Sequence, residues 1–371
     1  MKKHIAMILV AAMGLSLLTA CGGGSGSQSS TSQSQASTQD GGNKHFEVIV
    51  KSYQSSYWQA AVAGVNQQAG ETGVTVNCTG PNAESDIADQ VNMLNSAINS
   101  NPDGIGLAAC DQNACLDALK TAQEKGIPVV CFDSGIPDAP EGSVYSTIAT
   151  DNYGAGATAA ENLYAGLKDK IASATAPVRI GEVNPDATSE SITSRGLGFI
   201  DKFCELASAD GKKVAVIGND FFTSNCKDKG EEASADIIIE VAVPAQTTAD
   251  LCATEASVIL NKSDTIGIFG SNQISTEGIL TSNENLGVLG SDPANSILAA
   301  GFDAGSVIKS AVQNGTLYGA VTQSPLAMGI TTVDVLTKIA NGEEVTDILT
   351  DGYWYNAENM EDPEIAPNLY D

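Results

Sequence analysis

The sequence predicts an α/β protein built as two doubly wound, parallel-sheet lobes. Two observations carry this: apolar runs of strand length alternate with stretches of helical period, and about 325 residues follow a polar leader, more than one core usually serves. With 42% hydrophobic residues the chain can fill two cores. In order, residues 46–50, 74–78, 104–109 and 129–132 are short apolar runs of the kind that become buried parallel strands. Between them Trp58, Ala61, Val62, Val65 and Ala69 recur at helical spacing, as do Ile87, Val91, Leu94 and Ile98. Leu116, Leu119 and Ala122 form a third stripe that stops at Gly126, with Pro128 beyond. After Asn152 the pattern resumes, with strands expected near 178–183, 237–243, 265–269 and 297–302 and helices near 192–206, 249–260 and 274–280. A βαβα order of this kind implies right-handed crossovers and helices on both sheet faces, and ligands of such sheets bind beyond the carboxyl ends of the strands.

The N-terminus reads as an export signal. Lys2 and Lys3 precede an apolar run over 5–18, shorter than the roughly 20 residues that span a bilayer. The run ends at Leu18-Thr19-Ala20-Cys21, the pattern of a lipoprotein cleavage site, so residues 1–20 are expected to be removed and Cys21 to carry acyl chains. Residues 21–45 are almost entirely Gly, Ser, Gln and Thr, too polar to fold, and form a linker whose ends as a random coil lie about 25 Å apart. A net charge of −27 argues against nucleic acid or an anionic membrane surface as partner. Seven cysteines follow Cys21, an odd number, so at least one thiol stays free or pairs between chains. Cys78, Cys110 and Cys131 close apolar runs and read as small buried hydrophobes. The only histidines are His4 and His45 and no Cys-x-x-Cys occurs, so no metal site is expected.

The strand ends carry the most information. Lys51-Ser52-Tyr53-Gln54-Ser55-Ser56-Tyr57-Trp58 follows the first strand, Ala109-Cys110-Asp111 the third, Phe132-Asp133-Ser134-Gly135 the fourth, and Thr150-Asp151-Asn152 the crossover. With Gly80-Pro81, Ser194-Arg195-Gly196-Leu197-Gly198-Phe199, Gly270-Ser271-Asn272, Gly301-Phe302-Asp303 and Thr322-Gln323-Ser324-Pro325, this order resembles the ribose-type, or type I, periplasmic sugar-binding proteins of ABC importers. The resemblance implies two lobes joined by three crossovers that close on a ligand. It places the N-terminal lobe at 46–150 plus 324–349 and the C-terminal lobe at 151–323 plus 350–371. Hinges fall near 150–152, 322–325 and 350–352.

By that resemblance Tyr57 and Trp58 match an aromatic pair that packs on the C–H face of a sugar ring. Trp58 also lies in the apolar stripe, so a core role stays open. Asp133 matches a carboxylate that accepts from sugar hydroxyls, although a strand-end Asp can equally cap a turn. Asn272, Asp303 and Gln323 match ligand groups of the second lobe and hinge, which offer both donors and acceptors. Lys51 matches a lysine of the branch that reads rhamnose-like sugars or the autoinducer-2 furanone, and Asp111 could orient it or touch ligand. Ser134 and Thr193 stand where ribose binders carry ligand arginines, and losing both planar forks puts ribose in doubt. Arg195 matches an arginine that is more often structural. Near 246–248, where the family has a second aromatic, there is no ring. Residues 210–235 are longer than the family needs by roughly 20 residues and hold a candidate edge strand at 214–217; Cys226 there could pair with Cys204 or Cys252.

The implied function is capture of a monosaccharide or similar polyhydroxylated ligand and its delivery to a membrane permease, by a monomer that needs no cofactor. A sensor presenting closed lobes to a chemoreceptor or histidine kinase, or a receptor for autoinducer-2 or a nucleoside, are the alternatives. Catalysis is not expected: there is no Gly-x-Ser-x-Gly elbow and no phosphate loop, and nothing tunes Asp133 or Asp303 as a glycosidase acid. A DNA-binding regulator shares the two-lobe fold but is excluded by the export signal and the missing basic patch.

Overall fold

A computed structural model describes residues 43–371, which form one compact unit. The leader, Cys21 and most of the linker lie outside the described residues. Among the described residues no helix is long and apolar enough to cross a membrane.

The first half alternates as expected: β1 (His45–Ile49), α1 (Ser56–Thr72), β2 (Thr75–Thr79), α2 (Ile87–Ser100), β3 (Gly104–Leu107), α3 (Leu116–Glu124), β4 (Val129–Phe132) and β5 (Val144–Thr150). The second half runs α4 (Asn152–Ser173), β6 (Val178–Val183), α5 (Glu190–Ala209), β7 (Val214–Gly218), α6 (Asp220–Asn225), β8 (Ile237–Ala242), α7 (Ala249–Leu260), β9 (Thr265–Gly270), α8 (Gln273–Leu286), β10 (Leu298–Phe302), α9 (Ser306–Gln313) and β11 (Gly319–Thr322). The chain then returns through α10 (Pro325–Ala340) and β12 (Ile348–Thr350) and ends beyond β13 (Tyr353–Tyr355). One sheet has the order β12-β5-β4-β3-β1-β2 and is parallel throughout; the other has the order β13-β11-β10-β9-β6-β8-β7, antiparallel only at β13. The central strands are buried on both faces, which is why they read as continuous apolar runs. The run at 214–217 is indeed an edge strand, β7, beside β8. All seven described cysteines are unpaired thiols, so neither pairing left open for Cys226 forms here.

The two sheets exchange elements at three places, and these meet. The chain leaves β5 at Thr150 for α4, leaves β11 at Thr322 for α10, and passes from β12 to β13 across residues 351–352. The Asp151 N–H donates to the Thr350 carbonyl at 2.8 Å, and the Thr150 hydroxyl donates to Gln323 Oε1 at 2.8 Å, so the crossovers are tied side by side.

Two of the site helices, α1 and α5, are each pressed against a helix that starts at a crossover. A Cβ on Gly64 of α1 would sit 2.0 Å from the Leu326 carbonyl of α10, and one on Gly329 of α10 would sit 2.0 Å from the Ala61 carbonyl. In the other lobe Gly156 of α4 and Gly198 of α5 meet the Arg195 and Tyr153 carbonyls at 1.9 and 2.1 Å in the same way. Only glycine permits backbones this close. The helices carrying Tyr57, Trp58 and Arg195 are thereby fixed to the segments from which a hinge motion would start.

Candidate functional site

A narrow cavity of about 20 Å3, room for little more than a water molecule in this closed arrangement, lies between the lobes at the carboxyl ends of the two sheets. Lys51, Tyr57, Trp58, Asp133, Asn272, Asp303 and Gln323 all line it, joined by Glu84, Ser191, Arg195 and Gln273.

On the N-terminal side β1 leads into Lys51, which is 2% exposed. Its Nζ lies 3.1 Å from Asp133 Oδ2 and donates to Ser189 and Ser191 Oγ, each at 3.0 Å, across the cleft. Burial would lower the pKa of this amine, but Asp133, then Glu84 and Asp186, hold it above the ordinary lysine value, so Lys51 is charged. Ser55 caps α1 and places Tyr57 and Trp58 in its first turn. The Tyr57 hydroxyl donates to Asp133 Oδ1 at 2.5 Å, while the Trp58 indole N–H donates to Glu84 at 2.7 Å. Trp58 is 2% exposed and packs edge-on to Tyr57 and Phe132, so it is at once core and cavity wall.

The C-terminal side mirrors this. Phe132-Asp133 ends β4 and Phe302-Asp303 ends β10, and both aspartates are held at positive φ, 61° and 72°. Left-handed backbone costs a non-glycine residue on the order of 1 kcal/mol or more, and strain of this kind gathers at functional positions. Asp303 accepts from the Gln273 N–H at 2.9 Å and from Gln323 Nε2 at 2.7 Å. Burial raises its pKa, opposed chiefly by Arg195 and the Gln323 hydrogen bond. Arg195 donates to the Ser271 carbonyl at 2.6 Å and to Asn152 Oδ1 at 2.7 Å, with its guanidinium 3.5 Å from the centre of the Phe302 ring. It both braces the lobe and edges the cavity. Asn272 caps α8 through its Oδ1, which accepts from the Ser275 N–H, so only its amide donor remains available.

Three residues expected in the site do not line it. Asp111 turns its carboxylate to the N–H groups of Asn113 and Ala114, at 2.7 and 2.8 Å, capping its own turn instead of orienting Lys51. The Ser134 hydroxyl accepts from the Ser191 N–H at 3.2 Å, a contact between lobes. Thr193 bonds back to the carbonyls of Ser189 and Glu190 within α5. With these hydroxyls occupied, Lys51 and Arg195 are the cations at the cavity among the described residues.

The lobes are closed on each other. Besides the Lys51 and Ser134 contacts, Gln112 N–H meets the Thr188 carbonyl at 3.1 Å and Tyr57 N–H meets Gln273 Oε1 at 3.2 Å. Sequence reasoning missed Glu84 and Gln273. Glu84 lies in the loop after β2, a strand end like the others, and Gln273 directly follows Asn272, so position alone could have flagged both.

Glu84 makes a testable electrostatic claim. Burial pushes its carboxyl up to about 7 against the pull of Lys51 and the Trp58 N–H. Burial likewise pushes Glu182 of β6 up to about 8. The folded state therefore keeps protons that the unfolded chain releases near 4.5, so stability falls as pH rises from there through about 7 for Glu84 and about 8 for Glu182. Melting temperature plotted against pH over that window should be flatter in Glu84→Gln and Glu182→Gln than in the parent. Parallel slopes would show that neither group is protonated in the folded state.

The fold and this cleft define a class, and the chain belongs to it: the periplasmic binding protein domain family, whose model matches residues 46–344. Its members are extracytoplasmic solute-binding proteins. The ribose import binding protein of Bacillus subtilis is 24% identical over 348 residues, 93% of this chain and 95% of that one. A Brachyspira murdochii structure described as an ABC transporter, LacI family transcriptional regulator, is 31% identical with a TM-score of 0.72, covering 89% of this chain and 99% of that one. An ABC transporter solute-binding protein from Agrobacterium vitis with bound D-fucose is 29% identical with a TM-score of 0.71, covering 88% and 100%.

Proposed function

We propose that this protein captures a neutral monosaccharide between its lobes and delivers it to an ABC permease, while an acylated Cys21 and the polar linker hold it outside the cytoplasm. The lobes are read as 46–150 with 324–349 and 151–323 with 350–371, acting as a monomer that closes on one ligand. The observation that carries this reading is the pairing of Asp133 and Asp303, strained carboxylates that reach one cavity from opposite lobes. Around them Lys51, Arg195 and Gln323 supply donors and Tyr57 and Trp58 supply ring surface, the mixture that a ring with hydroxyls at its rim requires. A ligand that bridges the two aspartates contacts the closed arrangement better than the open one, which is what drives closure. Likeness to the D-fucose-bound Agrobacterium vitis protein supports a hexose or deoxyhexose.

The test is a thermal shift of the chain from Gly42 against pentoses, hexoses, deoxysugars, polyols and nucleosides. A ligand at about 100 times its dissociation constant adds about 2.7 kcal/mol of stability, a rise of several degrees. A hit among the sugars names the class; a folded protein silent to every sugar overturns the reading.

A further inference from the structure

Beyond β13 the chain stays on the C-terminal lobe, burying Met360 in its second apolar cluster and resting Ile365 and Leu369 on the same cluster. A single 3-10 turn over Ala366–Asn368 then brings Asn368 and Tyr370 up to the crossover after β11 and the turn after β10. Neither side chain lines the ligand cavity. Both nevertheless hold residues that do.

Thr322 and Ser324, on either side of Gln323, each donate to Asn368, Thr322 Oγ1 to its carbonyl at 2.8 Å and Ser324 Oγ to its side-chain oxygen. The Tyr370 hydroxyl accepts from the Ala304 N–H at 3.1 Å, and the Tyr370 carbonyl accepts from the Gly305 N–H at 3.1 Å. These two N–H groups directly follow Asp303, in a turn with positive φ at both Asp303 and Gly305, 72° and 97°. Strained backbone of this kind persists only where its surroundings hold it, and one tyrosine supplies two of the bonds that do.

The same tyrosine reaches the other lobe. Its ring meets Tyr57 edge-on, with centroids 5.8 Å apart, and packs on the apolar cluster of Tyr57, Trp58 and Met328. Lys309 of α9 anchors the segment to the C-terminal lobe, donating to the Leu369 carbonyl at 3.3 Å and pairing with Asp371. The Tyr57–Tyr370 contact therefore joins the lobes, and it steadies the ring whose hydroxyl donates to Asp133.

Resting on the sugar-binding reading, we propose that Tyr370 is a positioning residue: without touching ligand it holds Asp303 of one lobe and Tyr57 of the other in the closed arrangement, and so sets affinity from behind the hinge. The experiment is calorimetric titration of the chain from Gly42 and its variants with D-fucose, D-glucose, D-galactose and D-arabinose, at a temperature where each variant is folded, with melting temperatures recorded alongside. Tyr370→Ala removes ring and hydroxyl and should weaken the sugar that binds the parent by about tenfold or more. Tyr370→Phe keeps the ring and loses only the acceptor for the Ala304 N–H, so its affinity should return to about threefold below the parent's. Ile98→Ala, a core truncation in the last turn of α2 at the far end of the sheet from the cleft, should lower the melting temperature and leave affinity unchanged. Tyr370→Ala at the parent's affinity, whatever its melting temperature, overturns the positioning role and leaves the sugar-binding reading standing. So does a Tyr370→Phe variant as weak as Tyr370→Ala, or an Ile98→Ala variant that loses as much affinity as Tyr370→Ala. Should Tyr370→Ala not fold, Tyr370→Phe decides alone: a loss of about threefold supports the hold on Asp303, and the parent's affinity overturns it. Failure of all these sugars to bind the parent overturns both readings together.

Discussion

Asp303→Ala is expected to weaken ligand binding by about 2 kcal/mol or more, roughly thirtyfold, when titrated against whichever sugar the thermal screen identifies. Each carboxylate oxygen of Asp303 already accepts one protein donor, Gln273 N–H or Gln323 Nε2, and each has a second lone pair to offer a hydroxyl. Truncation removes the ligand's acceptor and leaves two buried donors unpaired. Gln323 also accepts from Thr150 on the neighbouring crossover, so the carboxylate is one hydrogen bond from the hinge. Asp303→Asn separates the parts. Asparagine tolerates the positive φ and keeps one acceptor oxygen, so the fold should lose less melting temperature than in Asp303→Ala, while its amide NH2 faces one buried donor and the charge-assisted bonds are lost. Affinity equal to the parent's in both variants would remove Asp303 from the site.

Much of this was legible because strand ends advertise themselves. A buried parallel strand is a continuous apolar run, so the first polar residues after it stand out, and the family resemblance then picks Lys51, Asp133 and Asp303 from among them. Asp111 satisfies the same pattern and yet points elsewhere; whether a strand-end carboxylate faces the cleft or caps its own turn depends on the next two or three backbone torsions, which the pattern does not specify. Gln273 holds Asp303 within its own lobe through its backbone N–H, but its side chain's part in the site depends on closure, which brings the Tyr57 N–H against it, a contact between residues more than two hundred positions apart. The first half of the long helix α4 left little apolar signal because its buried face there is Ala155, Gly156, Ala159 and Ala160, small residues that let Gly156 approach the α5 backbone, while Leu163, Tyr164, Leu167 and Ile171 follow only farther along. The same compromise explains why Trp58 fitted both a stripe and an aromatic pair.

Trp58→Ala is expected to cost about 3–5 kcal/mol of folding stability, because it empties a large site between Tyr57, Phe132 and the first sheet. For a protein of this size each kcal/mol moves the melting temperature by about 2 °C or somewhat more, so the ligand-free chain should melt roughly 6–10 °C lower. Affinity should fall as well, since the same indole walls the cavity. Trp58→Phe distinguishes the two contributions. A phenyl ring keeps most of the packing but cannot donate to Glu84, whose buried carboxyl then loses one of the two groups that hold its pKa down. In that variant Glu84 should stay protonated to higher pH, and the window over which stability falls should extend upward with it. A Phe variant that melts like the Ala variant would mean that the indole hydrogen bond outweighs the ring's burial. A Phe variant indistinguishable from the parent in both melting and pH profile would mean that Glu84 does not need the bond at all.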